Sequence, residues 1–324
     1  MSKAFNYVFG PVPSRRLGYS LGVDIVPMKY CDLNCIYCEL GRTTRETLSR
    51  RPYIPASAVL PEIRKALHVF DHIDYITFTG SGEPTLNTEL GAMIRAVKAL
   101  TGIPVAVLTN GTLFYLPEVR QDVRAADVVI PSLDAVSEPV FRKINRPHGR
   151  LRIDTIIEGL KQFRKEYSGQ IWLEILLVQG VNDTDAEIRR LRQVANEINP
   201  DKIQLNTVVR PPAESGIRPV ARERLEAIRN QFGEKAEIIA VFHAGPQQAH
   251  DVAAADLVLA LISRRPVTLD EICASLGLEE PLIRTTLKEL LDRGEITEKV
   301  HENRLYYFAH PRHNLGTDPS SPKS

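Results

Sequence analysis

The chain has 324 residues, 43% of them apolar and 25% charged, with a formal net charge of +1. That size accommodates one large domain and a small one around a substantial core. The near-neutral balance excludes a global pull toward nucleic acid or membrane, and no apolar stretch approaches the length of a membrane span. The start, Met1-Ser-Lys-Ala-Phe-Asn6, lacks a signal-peptide core, so a cytoplasmic protein is expected.

In chain order, Ser20–Pro27 reads as a buried strand ending in proline, directly before a cysteine-rich loop. A helix over 56–70 precedes a strand over 74–79, and a helix near 88–100 precedes a strand over 104–109. The strand at 127–131 leads to helices near 138–144 and 153–167. The β-branched run 170–178 is followed by a helix over 185–198, a strand over 202–208, a helix over 221–232 and a strand over 236–243. Strands alternating with helices predict parallel βαβ units. About six units, with polar residues recurring just past strand ends, predict an α/β barrel or partial barrel with its site at the C-terminal rim.

A boundary is expected near Gly245-Pro246, which divides the chain into 1–245, 251–310 and a Pro/Ser-rich tail, 311–324, that reads as disordered. Between Asp251 and His310 the order is helix (252–263), helix (269–274), helix (280–293) and two short strands around Asn303. That is the order of a winged helix-turn-helix. This segment has seven Lys/Arg against eleven Asp/Glu, a net of −4. A duplex binder needs a basic face to displace counterions, so DNA binding is disfavoured and a protein-contact or substrate-presenting role is favoured.

The chemistry concentrates in Cys31-Asp-Leu-Asn-Cys35-Ile-Tyr-Cys38; the fourth cysteine, Cys273, is remote. Three clustered thiols are metal usage, not a disulfide framework. A short loop can wrap them around one centre without long-range closure cost. On a 4Fe–4S cube they would leave one iron without a protein ligand. Zinc, which takes four ligands or three plus water, is the alternative; the next downstream histidines, His68 and His72, fall on a predicted helix. A second motif, Thr79-Gly80-Ser81-Gly82-Glu83-Pro84-Thr85, follows a predicted strand. Its glycines let backbone approach a ligand, and its carboxylate can receive an ammonium. Asn110, Ser132 and Asp134 stand just past the next two strands, as ligand contacts or as caps and Asx-turns. Glu174, inside an apolar strand, is expected to face the lumen and meet a cation or ribose, because an unpaired buried carboxylate is costly. Asn206 could contact adenine or substrate. Residues 1–52 carry eight basic and four acidic side chains. With Arg15, Arg16, Arg42, Arg146, Arg150 and Arg210, they fit an anionic ligand such as a substrate or a bound carboxylate, or equally solvated arginines whose apolar stems pack on the barrel.

The cysteine spacing, with Tyr37 before the third cysteine, resembles that of the radical S-adenosylmethionine (SAM) superfamily. Gly82-Glu83-Pro84 is similar to that family's Gly-Gly-Glu-Pro element, with Ser81 in place of the preceding glycine. The resemblance covers about residues 5–245. It implies a partial (β/α)6 barrel, a 4Fe–4S cluster on Cys31, Cys35 and Cys38, and SAM on its open iron. It also implies reductive cleavage to a 5′-deoxyadenosyl radical that takes a hydrogen atom from a substrate. The SAM contacts would come from Tyr37, Gly80, Ser81, Gly82, Glu83, Asn110, Ser132, Asp134, Glu174 and Asn206, and the electron from a donor such as flavodoxin or ferredoxin. The blocks Phe9-Gly-Pro-Val-Pro-Ser-Arg-Arg-Leu-Gly18 and Ile144-Asn-Arg-Pro-His148 resemble the branch grouped with the tRNA wyosine-base synthases. Those enzymes carry further cysteines upstream, and none precedes Cys31 here. Activation of a glycyl-radical enzyme and tRNA-base modification remain the named alternatives. An iron–sulfur sensor with winged-helix output is the alternative of a different class.

Overall fold

A computed structural model describes residues 5–14, 16–239, 254–263 and 265–310. The predicted boundary at Gly245-Pro246, the tail and Arg15 lie outside the described residues. The strands β1 (Val8–Ser14) and β2 (Gly18–Asp24) lead into a two-residue pair, β3 (Tyr30–Cys31) and β4 (Arg45–Glu46). Then follow α1 (Ala56–Val69), β5 (Tyr75–Thr79), α2 (Leu90–Leu100), β6 (Val105–Thr109), α3 (Pro117–Val123) and β7 (Val128–Pro131). The series continues through α4 (Glu138–Ile144), α5 (Ile153–Glu166), β8 (Gln170–Leu177), α6 (Asp185–Ile198), β9 (Lys202–Thr207), α7 (Arg222–Phe232) and β10 (Ala236–Ile238). The C-terminal part holds α8 (Ala254–Ile262), α9 (Leu269–Leu276), α10 (Glu280–Asp292) and a hairpin of β11 (Ile296–His301) with β12 (Arg304–Ala309).

One eight-stranded sheet runs β1-β2-β5-β6-β7-β8-β9-β10. Every neighbouring pair is parallel except β1–β2. Six consecutive parallel strands, β2 to β9, form the expected partial barrel, with β1 and β10 added at its two edges. The alternation of apolar strands and amphipathic helices made the parallel units readable. Well-marked ends fixed others: Thr184 caps α6 by accepting from Glu187 N–H, and Asn199 ends it in the left-handed conformation.

β1 was not expected. Gly10, Pro11 and Pro13 break its alternation, yet an edge strand tolerates prolines because its outer face needs no N–H donors. The Glu62 carboxylate on α1 anchors its start, accepting from the N–H groups of Asn6, Tyr7 and Val8. The short α3 was also unforeseen; it begins with Pro117 in its first turn.

The barrel interior changes character along its axis. Leu17, in the β1–β2 turn, packs with Ala106, Val128, Ile130 and Trp172, a cluster separate from the main core under the helices. Above this apolar floor the inward positions are polar: Ser20 and Thr77 share a hydrogen bond of 2.6 Å, and Asn206 Nδ2 donates to Glu174 Oε1 at 2.9 Å.

Helices α8 and α9 pack against β1. Tyr306 O–H donates to the Val209 carbonyl at 3.1 Å, tying the hairpin to the segment after β9.

Candidate metal centre

The cysteine loop lies at the mouth of the sheet and is strapped from four directions. The turn after β5 grips its start: Lys29 N–H donates to Ser81 O at 2.6 Å and Glu83 N–H to Tyr30 O at 3.0 Å. Thr44 N–H donates to Lys29 O and Thr47 N–H to Cys31 O, at 3.2 and 3.0 Å. The end of α4 receives Asn34 N–H and Ile36 N–H on the carbonyls of Asn145 and Ile144. Glu214, in the segment after β9, donates its N–H to Ile36 O at 3.1 Å. Such a loop is positioned before any ligand arrives.

None of the three thiols is in a disulfide, and each sulfur faces one nitrogen donor. Asn110 Nδ2 approaches Cys31 Sγ at 3.7 Å, Asn145 Nδ2 lies 3.4 Å from Cys35 Sγ, and Lys29 Nζ is 3.0 Å from Cys38 Sγ. Burial, then Asp32, pushes the Cys31 thiol well up; burial, then Asp134, pushes Cys35 up to about 12. Without a cation these sulfurs stay neutral, so donors aimed at them suit thiolates compensated by metal. Among the described residues no three His, Cys, Asp or Glu side chains converge on a point that a single ion could occupy.

Gly82 has no room for a side chain: a Cβ there would lie 2.0 Å from Tyr30 O. Ser81 donates its hydroxyl to buried Asp24 at 2.5 Å, and Asp24 Oδ1 would lie 2.5 Å from a Cβ on Gly80. The turn is thus wedged between the end of β2 and the cysteine loop. Glu83 is only 2% exposed. Its Oε1 accepts from Thr85 N–H and from the Thr85 and Thr109 hydroxyls; its Oε2 accepts from Asn110 N–H at 2.7 Å. Burial and the neighbouring Asp32 push this carboxyl up to about 7. The expected ammonium receptor is therefore first a brace joining the turn to the end of β6. Four protein donors occupy it, with acceptor capacity left on Oε2.

Tyr37, Asn110, Ser132 and Asp134 line one recess behind the loop, with Thr112 and Asn145. Tyr37 O–H donates to Asp134 Oδ2 at 2.5 Å, Asn145 Nδ2 to the same oxygen at 2.8 Å, and Leu176 N–H to Oδ1 at 2.9 Å. Burial lifts Asp134 to about 6 against these donors. Glu174 meets a cation, as expected: Arg16 Nη1 lies 2.9 Å from its Oε2, a close charge contact without an aligned hydrogen bond.

Arg42, Arg146 and Arg210 take structural roles, the other reading open to them, instead of facing a substrate. Arg42 and Arg146 both pair with Glu214, at 2.9 and 2.7 Å. Buried Arg210 bridges Glu39 at 3.2 Å and Glu271 of α9 at 2.8 Å. These pairs fasten the segment after β9 to the cysteine loop and to the C-terminal helices. Sequence reasoning missed Lys29, Asp32, Thr112 and Asn145. Asp32 is fully buried, receiving Asn110 Nδ2 on Oδ1 at 2.5 Å and the Thr112 hydroxyl on Oδ2. Lys29 stands beside the cysteine motif and Asp32 within it, Asn145 falls in the Ile144–His148 block, and nothing in sequence marked Thr112.

No described helix is long and apolar enough to cross a membrane. The family described as the radical SAM superfamily matches residues 25–191. A UPF0026 protein of Methanocaldococcus jannaschii is 31% identical over 307 residues, 93% of this chain and 95% of that protein. A protein of Brachyspira hyodysenteriae named GTPase Obg is 36% identical over 304 residues, and the chain spans only 45% of its length. Among solved structures, a radical SAM methyltransferase from Sphaerobacter thermophilus shares the fold with a TM-score of 0.53 at 19% identity, over 68% of this chain and 66% of that one. The chain belongs to the radical SAM superfamily, whose members use a 4Fe–4S cluster and SAM.

Proposed function

We propose that this chain is a single-cluster radical SAM enzyme whose cluster is held by Cys31, Cys35 and Cys38. The observation that carries the reading is the loop itself: three sulfurs, each with its own N–H donor, pressed against the glycine turn at the barrel mouth. Held by these three cysteines, a 4Fe–4S cluster would relay a donor's electron to bound SAM and so supply the chemistry of reductive SAM cleavage and hydrogen-atom abstraction. The protein's part is to place and shield. Gly80, Ser81 and Gly82 offer backbone groups to the methionine end of SAM, held in place by Glu83. Asn110, Ser132 and Asp134 line the ribose side, with Tyr37 fixed by its bond to Asp134. Glu174 and Asn206, joined by a hydrogen bond, floor the chamber toward adenine or substrate.

The substrate is a small molecule, a protein or RNA. Activation of a glycyl-radical enzyme and base modification fit the same chamber. Flavodoxin or ferredoxin in the cytoplasm would supply the electron. The C-terminal segment, 251–310, is read as a winged-helix module that supports or presents substrate. Its net charge of −4 argues against promoter binding, and with it against the sensor reading. The test is anaerobic reconstitution with iron and sulfide, then dithionite and SAM. Formation of 5′-deoxyadenosine is expected. A reconstituted protein without a cubane, or with four protein ligands on its cubane, refutes the assignment.

A further inference from the structure

Lys29 is a conformational outlier with a buried charge. Its φ is +60°, a left-handed value that costs a non-glycine residue backbone strain. Its side chain is buried with only 6% of the residue exposed. Among the described residues no carboxylate pairs with the amine, which donates to Cys38 Sγ at 3.0 Å. The strained backbone is clamped from both sides. Lys29 N–H is taken by Ser81 O at 2.6 Å, and Lys29 O accepts from Thr44 N–H and Arg45 N–H, both at 3.2 Å. The fold therefore spends strain and desolvation to hold one ammonium against one sulfur. The other two sulfurs receive neutral amides, Asn110 and Asn145, at the longer distances of 3.7 and 3.4 Å. The nitrogen donors, one facing each sulfur, are asymmetric in charge.

We propose that Lys29 tunes the reduction potential of the cluster through a charge-assisted N–H···S bond to Cys38, an inference that rests on the three-cysteine reading above. Hydrogen bonds to ligand sulfurs are a principal determinant of iron–sulfur potentials. A cation in contact with a thiolate favours the state that carries one more electron, and in a buried site solvent does little to screen it. No bond is made or broken; Lys29 shifts the equilibrium of a one-electron reduction whose electron comes from an external donor. It acts through Cys38 and is a tuning residue, not a catalytic one. The same clamp, Lys29 N–H to Ser81 O, ties this donor to the Gly80–Gly82 turn.

The test uses full-length wild type, Lys29→Met and Lys29→Arg, each anaerobically reconstituted. Midpoint potentials are read by EPR-monitored titration without SAM, alongside iron and sulfide content. Lys29→Met is expected to make reduction at least tenfold less favourable, a fall of 59 mV or more for one electron. Lys29→Arg is expected to stay within threefold of wild type. Equal potentials for wild type and Lys29→Met at equal cluster content overturn the proposal, as does a rise. If Lys29→Met takes up no cluster, Lys29→Gln replaces it in the titration. Failure of both neutral variants to load overturns tuning in favour of a role in assembly. A wild type that forms 5′-deoxyadenosine while Lys29→Met keeps its potential defeats this inference alone. A shifted potential in a protein that never cleaves SAM defeats only the proposed function.

Discussion

Gly82→Ala is the sharpest perturbation of the turn that joins the two motifs. The added methyl would lie 2.0 Å from the Tyr30 carbonyl oxygen, 2.9 Å from its carbon and 3.1 Å from Val26 Cγ2. Two of those three atoms are backbone, so no side-chain rotation relieves the clash. The turn has to withdraw by more than an ångström, and the bond from Glu83 N–H to Tyr30 O at 3.0 Å is lost with it. Overpacking a rigid site costs about 1–3 kcal/mol and the lost hydrogen bond about 1 more, so about 2–4 kcal/mol of stability should disappear. Urea unfolding of the cluster-free protein reads the loss. Gly102→Ala is the control, since a Cβ there meets nothing within 4 Å; it should stay within about 0.5 kcal/mol of wild type. In reconstituted protein, SAM affinity of Gly82→Ala should fall in parallel, because the same shift moves the ligand-facing backbone. A Gly82→Ala protein that unfolds at the same urea concentration as Gly102→Ala, with unchanged SAM affinity, would show that the turn is not wedged against the cysteine loop.

The Glu83 carboxyl, raised to about 7 by burial and Asp32, binds its proton more tightly in the folded than in the unfolded state. Its contribution is therefore fully present below the ordinary glutamate range and lost as pH rises toward 7. The full swing is about 3 kcal/mol. The stability difference between cluster-free wild type and Glu83→Gln, measured from pH 4.5 to 8, should slope in that sense; a flat difference refutes the shift. Arg210→Met removes the bridge between Glu39 and Glu271. Because both carboxylates are about one-third exposed and can rehydrate, the cost should be about 1–3 kcal/mol, below that of a fully buried pair. Faster hydrogen exchange in residues 254–310 is the readout, and unchanged exchange excludes the latch. Cys35→Ala should abolish SAM cleavage while Cys273→Ala, outside the three-cysteine motif, leaves it intact; cleavage persisting in Cys35→Ala contradicts the ligand assignment.

Local signals were enough for the parallel architecture and the two motifs. The run 170–177 is apolar apart from Gln170 and Glu174, the helices at 138–144 and 185–198 carry clear amphipathic spacing, and cysteines three and four apart need no tertiary information to suggest a shared metal. Glu174 was legible for a related reason: a carboxylate in an apolar strand must find a partner, and Arg16 is that partner.

What escaped the sequence depends on contacts distant along the chain. β1 has the composition of a loop and becomes a strand only because β2 pairs with it and α8 and α9 cover it. Arg42, Arg146 and Arg210 are indistinguishable in sequence from substrate-binding arginines; the positions of Glu214, Glu39 and Glu271 turn them into fasteners. Glu83 is a brace because Thr109 and Asn110 come to it from the next strand. Residue types and local spacing could announce that sulfurs would gather here. Which nitrogen faces each sulfur, and that one of the three is an ammonium held in a strained backbone, follows only when segments far apart in sequence pack together and exclude water from the charges between them.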